Sequence, residues 1–409
     1  MAPRAMPRLA LVLAAAMLLL LLLAPPRAAD ATLHPVDYLA LQSIRRALND
    51  LPGSRFFSTW DFTSDPCAAF SGVSCSPTGR VVSLALGDPR AGAPGLTGPL
   101  PSTALSQLTA LTSLSLVPGR VTGRLTLPLT TLPSLRFLAL SNNLLAGALP
   151  AAFSPSLRTI DLSHNSLAGA LPPALLRLPA LRVLVLAHNA LAGAIPTSAA
   201  VTSPLIHLDL RANRLAGGLP ASLPSTLVYL SLADNRLSGH VGPALRRLTR
   251  LAFLDLGRNW FSGEVPPDLL ALRGIRYLQL RHNAFSGALR VAAGRGVSPG
   301  ATLDLSHNKL TGRVPPELAG AGAVYLNGNR FGGEVPREVA AAAEQGRMRV
   351  LFLQDNFLTG IGVNGVPASA AVCAHLNCVA PPPAVVAACP AKGGRGRRRP
   401  PAQCGGHRG

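Results

Sequence analysis

The sequence predicts an α/β-type repeat solenoid, with parallel strands on a concave face and a disulfide-bearing cap at each end. Three observations predict it. An Asn recurs about every 24 residues, at Asn143, Asn165, Asn189, Asn213, Asn235, Asn259, Asn283, Asn308, Asn329 and Asn356. Aliphatic residues hold fixed offsets from each Asn, as in "LRTIDLSHN" (157–165). All six cysteines, Cys67, Cys75, Cys373, Cys378, Cys389 and Cys404, flank the array. A period of this length marks coils that cannot bury their own apolar face and gain a core only by stacking.

The first element is residues 1–29. Arg4 and Arg8 precede the apolar run "LVLAAAMLLLLLLA", and the small residues Ala28 and Ala29 follow it. This is the order of a secretory signal peptide cleaved near Ala29. The run is short for a bilayer core of about 30 Å, so cleavage is favoured over an anchor. Further on, "VCAHLNCVAPPPAVVAAC" is cut by prolines and cysteines. The expected mature chain is therefore secreted and has no transmembrane segment.

The repeats come next. In "LRTIDLSHN", Ile160 and Leu162 alternate with Thr159, Asp161 and Ser163, the period of a strand with one buried face. Leu157 and Leu167 close the buried set, and Asn165 sits where the chain turns. There its amide can satisfy backbone groups of adjacent coils. Two earlier units keep the aliphatic frame with Gly119 and Pro89 in the Asn position, making twelve units over residues 80–362. The pattern LxxLxLxxNxL is the leucine-rich repeat. Sequence distance favours a Cys67–Cys75 disulfide in the oxidising compartment, and Cys373–Cys378 with Cys389–Cys404 among the last four. No paired CxxC spacing supports a zinc site, so no metal is expected.

The second half of each unit is more specific. "LAGALP" (145–150 and 167–172), "LAGAIP" (191–196), "LAGGLP" (215–220), "FSGEVP" (261–266) and "LTGRVP" (310–315) share a Gly-x-aliphatic-Pro signature. It resembles the plant extracellular leucine-rich repeat, LxxLxLxxNxLxGxIPxxLxxLxx. The segment 37–75, with Trp60, Asp65-Pro66-Cys67 and Gly72-Val73-Ser74-Cys75, resembles the amino-terminal cap of that family. The family includes ectodomains of receptor-like kinases, receptor-like proteins and polygalacturonase inhibitors. The resemblance implies a right-handed leucine-rich-repeat solenoid whose Gly-x-Ile-Pro part forms a second short strand. Gly242 and Arg290 replace the Pro, and looser turns are expected there. The organisation that follows is a signal peptide (1–29), an N-terminal cap (30–79), about twelve repeats (80–362), a C-terminal cap (363–389) and a basic Gly/Pro-rich tail (390–409).

Composition narrows the function. The chain is 48% hydrophobic but only 4% aromatic, with a formal charge of +20. Without Arg4, Arg8 and Arg27 of the signal peptide about +17 remains, and without the tail about +11. A secreted basic surface favours acidic partners such as pectin-like polysaccharide or anionic membrane over nucleic acid. Lys392, Arg395, Arg397, Arg398 and Arg399 are candidates for polyanion binding, although their Gly/Pro-rich setting also describes a disordered terminus. No H-E-x-x-H or G-x-S-x-G segment is present, so neither catalysis nor a cofactor is expected. Asp161, Asp209, Asp255 and Asp304 recur at one repeat position and read as strand filler that bridges to neighbouring turns.

The position before the first core residue of each strand reads Phe137, Thr159, Val183, His207, Tyr229, Phe253 and Tyr277. Four rings thus occupy adjacent rows, about 5 Å apart, beside Arg211, Asp234, Arg258, Arg281 and His282. Rings supply area and Arg binds carboxylates in a fork, so the stripe suits a peptide or a sugar. Lateral packing along the sheet is the competing account. His164, His188, His282 and His307 precede their Asn, either as filler or as groups that charge in an acidic wall. The expectation is a secreted, non-enzymatic binding module of the plant cell wall or surface, in signalling or defence. It recognises an extracellular protein or peptide through the concave face, beside a membrane receptor kinase. The alternative is a pectin binder or an inhibitor of pectin-degrading enzymes.

Overall fold

Every coil repeats one burial pattern. In the coil that carries the strand Thr159–Asp161, Leu157, Ile160, Leu162 and Leu167 are completely buried, and Leu171 and Leu175 nearly so. The computed structural model describes residues 32–88, 95–116, 118–126, 129–197, 203–379 and 401–404. The expected signal peptide, Cys389 and the basic residues Lys392, Arg395, Arg397, Arg398 and Arg399 lie outside them.

Among the described residues, thirteen parallel strands line the concave face, and they number the coils. Coil 1 is Val81–Leu86 and coil 2 is Ser113–Leu116. Coils 3 to 5 are Phe137–Ala139, Thr159–Asp161 and Val183–Val185. Coils 6 to 9 are His207–Asp209, Tyr229–Ser231, Phe253–Asp255 and Tyr277–Gln279. Coils 10 to 13 are Thr302–Asp304, Ala323–Tyr325, Val350–Phe352 and Ala371–Cys373. The thirteenth lies beyond residue 362. Val372 and Ala374 are buried there in place of leucines, and Asn377 bonds to the preceding coil.

A second sheet runs along the other side of the core, from Leu96–Pro99 to Phe357–Gly360. Its strands begin after the Asn and mostly end at the repeat Gly, as in Ser166–Gly169, so they lie upstream of the expected Gly-x-Ile-Pro position. Gly263 shows why that residue is small. It has φ of 83°, and a Cβ there would run into the His240 imidazole. Gly242 does not loosen its turn but opens a short helix, Gly242–Leu245. The coil with Arg290 has no helix after that residue.

The Asn side chains tie coils together. Asn259, almost fully buried, accepts from the Leu237 amide at 2.9 Å. It donates to the carbonyls of Leu232, Leu256 and Gly257 at 2.9–3.2 Å. The same arrangement recurs at Asn189, Asn213, Asn235 and Asn308. Gly119 departs from it for want of room, because any side chain would meet the Leu96 backbone.

The N-terminal cap closes both sheets. Asn49–Asp50 pairs antiparallel with the first strand of one sheet, and Val73–Cys75 with that of the other. Open strand edges are thereby covered. Helix α1 (Pro35–Ala47) buries Ala40, Leu41 and Ile44 against the array. The fully buried Asp37 of α1 receives a fork from Arg80 at 2.9 and 3.0 Å, and the Val81 amide at 2.8 Å. Phe56, Phe57, Phe62 and Phe70 pack around the Trp60 indole, whose N–H donates to the Ser71 carbonyl.

Cys67 and Cys75 are bonded, as sequence distance indicated. The C-terminal expectation is overturned. Cys378 pairs with Cys404, and Cys373, itself disulfide-bonded, is not its partner. Short sequence separation does not decide the pairing here, because the two residues hold different places in coil 13, Cys373 fully buried and Cys378 half-buried. Cys373 ends a concave strand, while Cys378 follows the Asn turn.

Candidate functional site

The concave strands pair in strict register, so equivalent residues form columns. His207 lies opposite Tyr229, Tyr229 opposite Phe253, and Phe253 opposite Tyr277. The rings stand on edge and stack along the solenoid. His207–Tyr229 centroids are 4.0 Å apart and Tyr229–Phe253 4.3 Å, both nearly parallel; Phe253–Tyr277 is tilted at 6.0 Å. Lateral packing therefore occurs, but it leaves a ridge of ring edges. Tyr277 is 48% exposed and Phe137, set apart from the stack, 40%. Burial lowers the pKa of His207 and raises that of Tyr229, so both stay neutral near pH 7.

The charged residues beside the ridge engage one another. Arg211 pairs with Asp209 at 3.6 Å, Arg258 with Asp234 at 3.7 Å, and Arg281 reaches across a coil to Asp304 at 3.9 Å. The recurrent aspartates act locally. Asp161, Asp209, Asp255 and Asp304 each accept from the amide two residues on. They fix the turn into the Asn, and burial raises the pKa of Asp255. Among the described residues no group of three or more His, Cys, Asp and Glu could hold a metal ion.

The histidines also have a structural cause. The residue before each Asn is left-handed, with φ of 52–55° at His164, His188, His282 and His307. Asn, Asp and His tolerate that region better than most residues. Their rings stack in pairs, His164–His188 at 4.1 Å and His282–His307 at 4.3 Å. Burial, then the neighbouring imidazole, lowers the pKa of His188 and of His282; nearby arginines add to it.

This gives a pH dependence with a definite sign. An unfolded imidazole titrates near 6.5, whereas folded His188 and His282 titrate lower. Between those values the unfolded chain holds the proton more tightly, so stability is full above about pH 6.5 and falls on acidification. Thermal melts from pH 7.5 to 5 should show Tm dropping, with a flatter profile in His188→Gln/His282→Gln. An unchanged slope in that variant would refute the assignment.

A second column went unread in the sequence, one residue before the rings. A run of 2.8–2.9 Å backbone bonds links Arg136, Arg158, Arg182, Ile206, Val228, Ala252 and Arg276 coil to coil. The arginines in it are exposed, and Ile206 and Val228 are 39% and 36% exposed. The "LR" of "SLRFLAL", "SLRTIDL" and "ALRVLVL" was the available signal. Arg273 and Arg276 also line a cleft of about 490 Å³ with Tyr277 and Thr302. Trp260, 63% exposed, belongs to the other sheet.

Repeat, cap and ladder together define a leucine-rich-repeat protein, and the comparisons agree. A leucine-rich-repeat N-terminal domain matches residues 34–76, and leucine-rich repeats match 131–191 and 301–321. The chain carries leucine-rich repeats and an N-terminal cap that are similar to those of plant receptor ectodomains. The ectodomain of the Arabidopsis receptor kinase HAESA, solved with an IDA peptide hormone, is 29% identical with a TM-score of 0.68. That match covers 84% of this chain and 57% of HAESA. The ectodomain of GASSHO1/SCHENGEN3 from Arabidopsis thaliana, in complex with CASPARIAN STRIP INTEGRITY FACTOR 2, is 27% identical with a TM-score of 0.70. It covers 85% of this chain and 42% of that one. The DNA damage-repair/toleration protein DRT100 of Arabidopsis thaliana is 36% identical over 118 residues, 27% of this chain and 32% of DRT100. The chain thus spans well under two thirds of each relative. Among the described residues no helix is long and apolar enough to cross a membrane.

Proposed function

We propose that the protein is an extracellular, non-enzymatic binding module that recognises a peptide through its concave face, in partnership with a membrane receptor kinase. The observation that carries this reading is the ridge His207–Tyr229–Phe253–Tyr277, three half-buried rings and an exposed one in adjacent rows of a chain with few aromatics. Aromatic side chains give large contact area at small entropic cost. Disulfides and the likeness to receptor ectodomains that hold peptide hormones support it.

Panning a displayed random peptide library over the full chain tests this. Enriched peptides should lose about tenfold or more in affinity when Tyr229→Ala and Phe253→Ala are combined. Peptides that bind the variant equally well would place recognition elsewhere.

A further inference from the structure

The strand-entry column has a charge pattern that its neighbours lack. Arg136, Arg158 and Arg182 occupy three successive coils, Ile206, Val228 and Ala252 the next three, and Arg276 the one after. Among the described residues none of these four arginine side chains has an ion-pair or hydrogen-bond partner. In contrast, Arg211, Arg258 and Arg281 on the inner columns are already neutralised. The apolar trio lies directly beside the ridge of His207, Tyr229 and Phe253, so the two columns form one apolar track. Free guanidinium groups bound the track at both ends, with Arg273 joining Arg276 in the cleft at the far end.

We infer that this track selects an extended peptide with an apolar centre and a carboxylate on each side of it. The inference rests on the reading of the concave face as a peptide site and specifies the ligand's chemistry. Unpaired Arg forks bind carboxylates in a geometry that few other groups satisfy. The apolar trio gives charge nothing to pair with, so acidic residues are excluded from the middle. On the inner columns Asp209 and Asp304 are paired with Arg211 and Arg281, so the unpaired arginines of the entry edge are the cations left to hold the ligand's carboxylates.

The register sets a length. Arg182 and Arg276 are four coils apart, about 19 Å at the usual strand separation of about 4.8 Å. An extended chain rises about 3.3 Å per residue. The two acidic positions should therefore lie about six residues apart.

The test is selection of a random displayed 12-residue library on the full chain, with sequencing of the enriched pool. Acidic residues should be enriched at two positions about six apart, with apolar residues between. Synthetic peptides of that pattern should bind Arg158→Glu/Arg182→Glu about tenfold more weakly than the parent. Both arginines are exposed and unpaired, so the variant's melting curve should not change. Peptides that depend on Tyr229 and Phe253 but show no acidic preference would overturn this inference and leave the concave peptide site standing. Peptides indifferent to all four residues would overturn both. Displacement by polygalacturonate at low salt, at concentrations where polyglutamate has no effect, would overturn it in favour of a carbohydrate ligand.

Discussion

Replacing Arg80 with Leu should destabilise the N-terminal cap by about 3–5 kcal/mol. Asp37 is completely buried, and the Arg80 fork is its only cationic partner among the described residues. Removing Arg80 leaves a carboxylate in an apolar setting with only the Val81 amide at 2.8 Å to satisfy it. The Arg80 side chain is itself partly exposed and also donates to Thr109, so the reverse change is milder. Asp37→Leu with Arg80→Leu removes the charge altogether and should be more stable than Arg80→Leu alone. Chemical denaturation of the three proteins reads this order directly. A loss of under about 1 kcal/mol in Arg80→Leu would mean that Asp37 takes up water or a proton at little cost.

Asn259→Ala should cost about 3 kcal/mol. The side chain makes four bonds to backbone groups of coils 7 and 8, and most of those groups are buried. Alanine would leave the Leu237 amide and several carbonyls without partners, each at roughly 1–3 kcal/mol where water cannot enter. Position in the array should matter as well. Asn377 makes similar bonds at the end of the ladder, where its loss frays one coil. Loss of Asn259 separates two halves that otherwise unfold together. Asn259→Ala should therefore broaden the melting transition and lower its midpoint, whereas Asn377→Ala should mainly expose the last coil to proteolysis. Equal, small effects at both sites would show that stacked leucines alone supply the coupling between coils.

Much of this architecture was legible in the residues. The Asn spacing, the strand alternation and the column His207, Tyr229, Phe253 and Tyr277 follow from one period, and one period is what a linear sequence displays best. The Cys67–Cys75 bond lies within a short local loop. Coil 13 was harder to see, because Val372 and Ala374 stand where leucine usually stands and Asn377 hides among cysteines. The Cys378–Cys404 bond depends on the place that Cys378 holds in coil 13. The pairing of Arg211, Arg258 and Arg281 with acids is a side-chain matter that spacing leaves undetermined. So is ring stacking, since a stripe of aromatics can lie flat or stand on edge. The column from Arg136 to Arg276 was visible in the letters but lay one place outside the frame that followed the core leucines.

The strict pairing of strands has a consequence for how such a chain changes. Each coil is a rung of fixed height, so one whole rung can be removed or copied without disturbing the joints above and below. Excising a single unit between Asn213 and Asn235 would bring Arg276 one rung nearer to Arg182. The molecule then resembles a gauge whose marks are set by counting, and its lineage can adjust reach in discrete steps while every remaining surface keeps its shape.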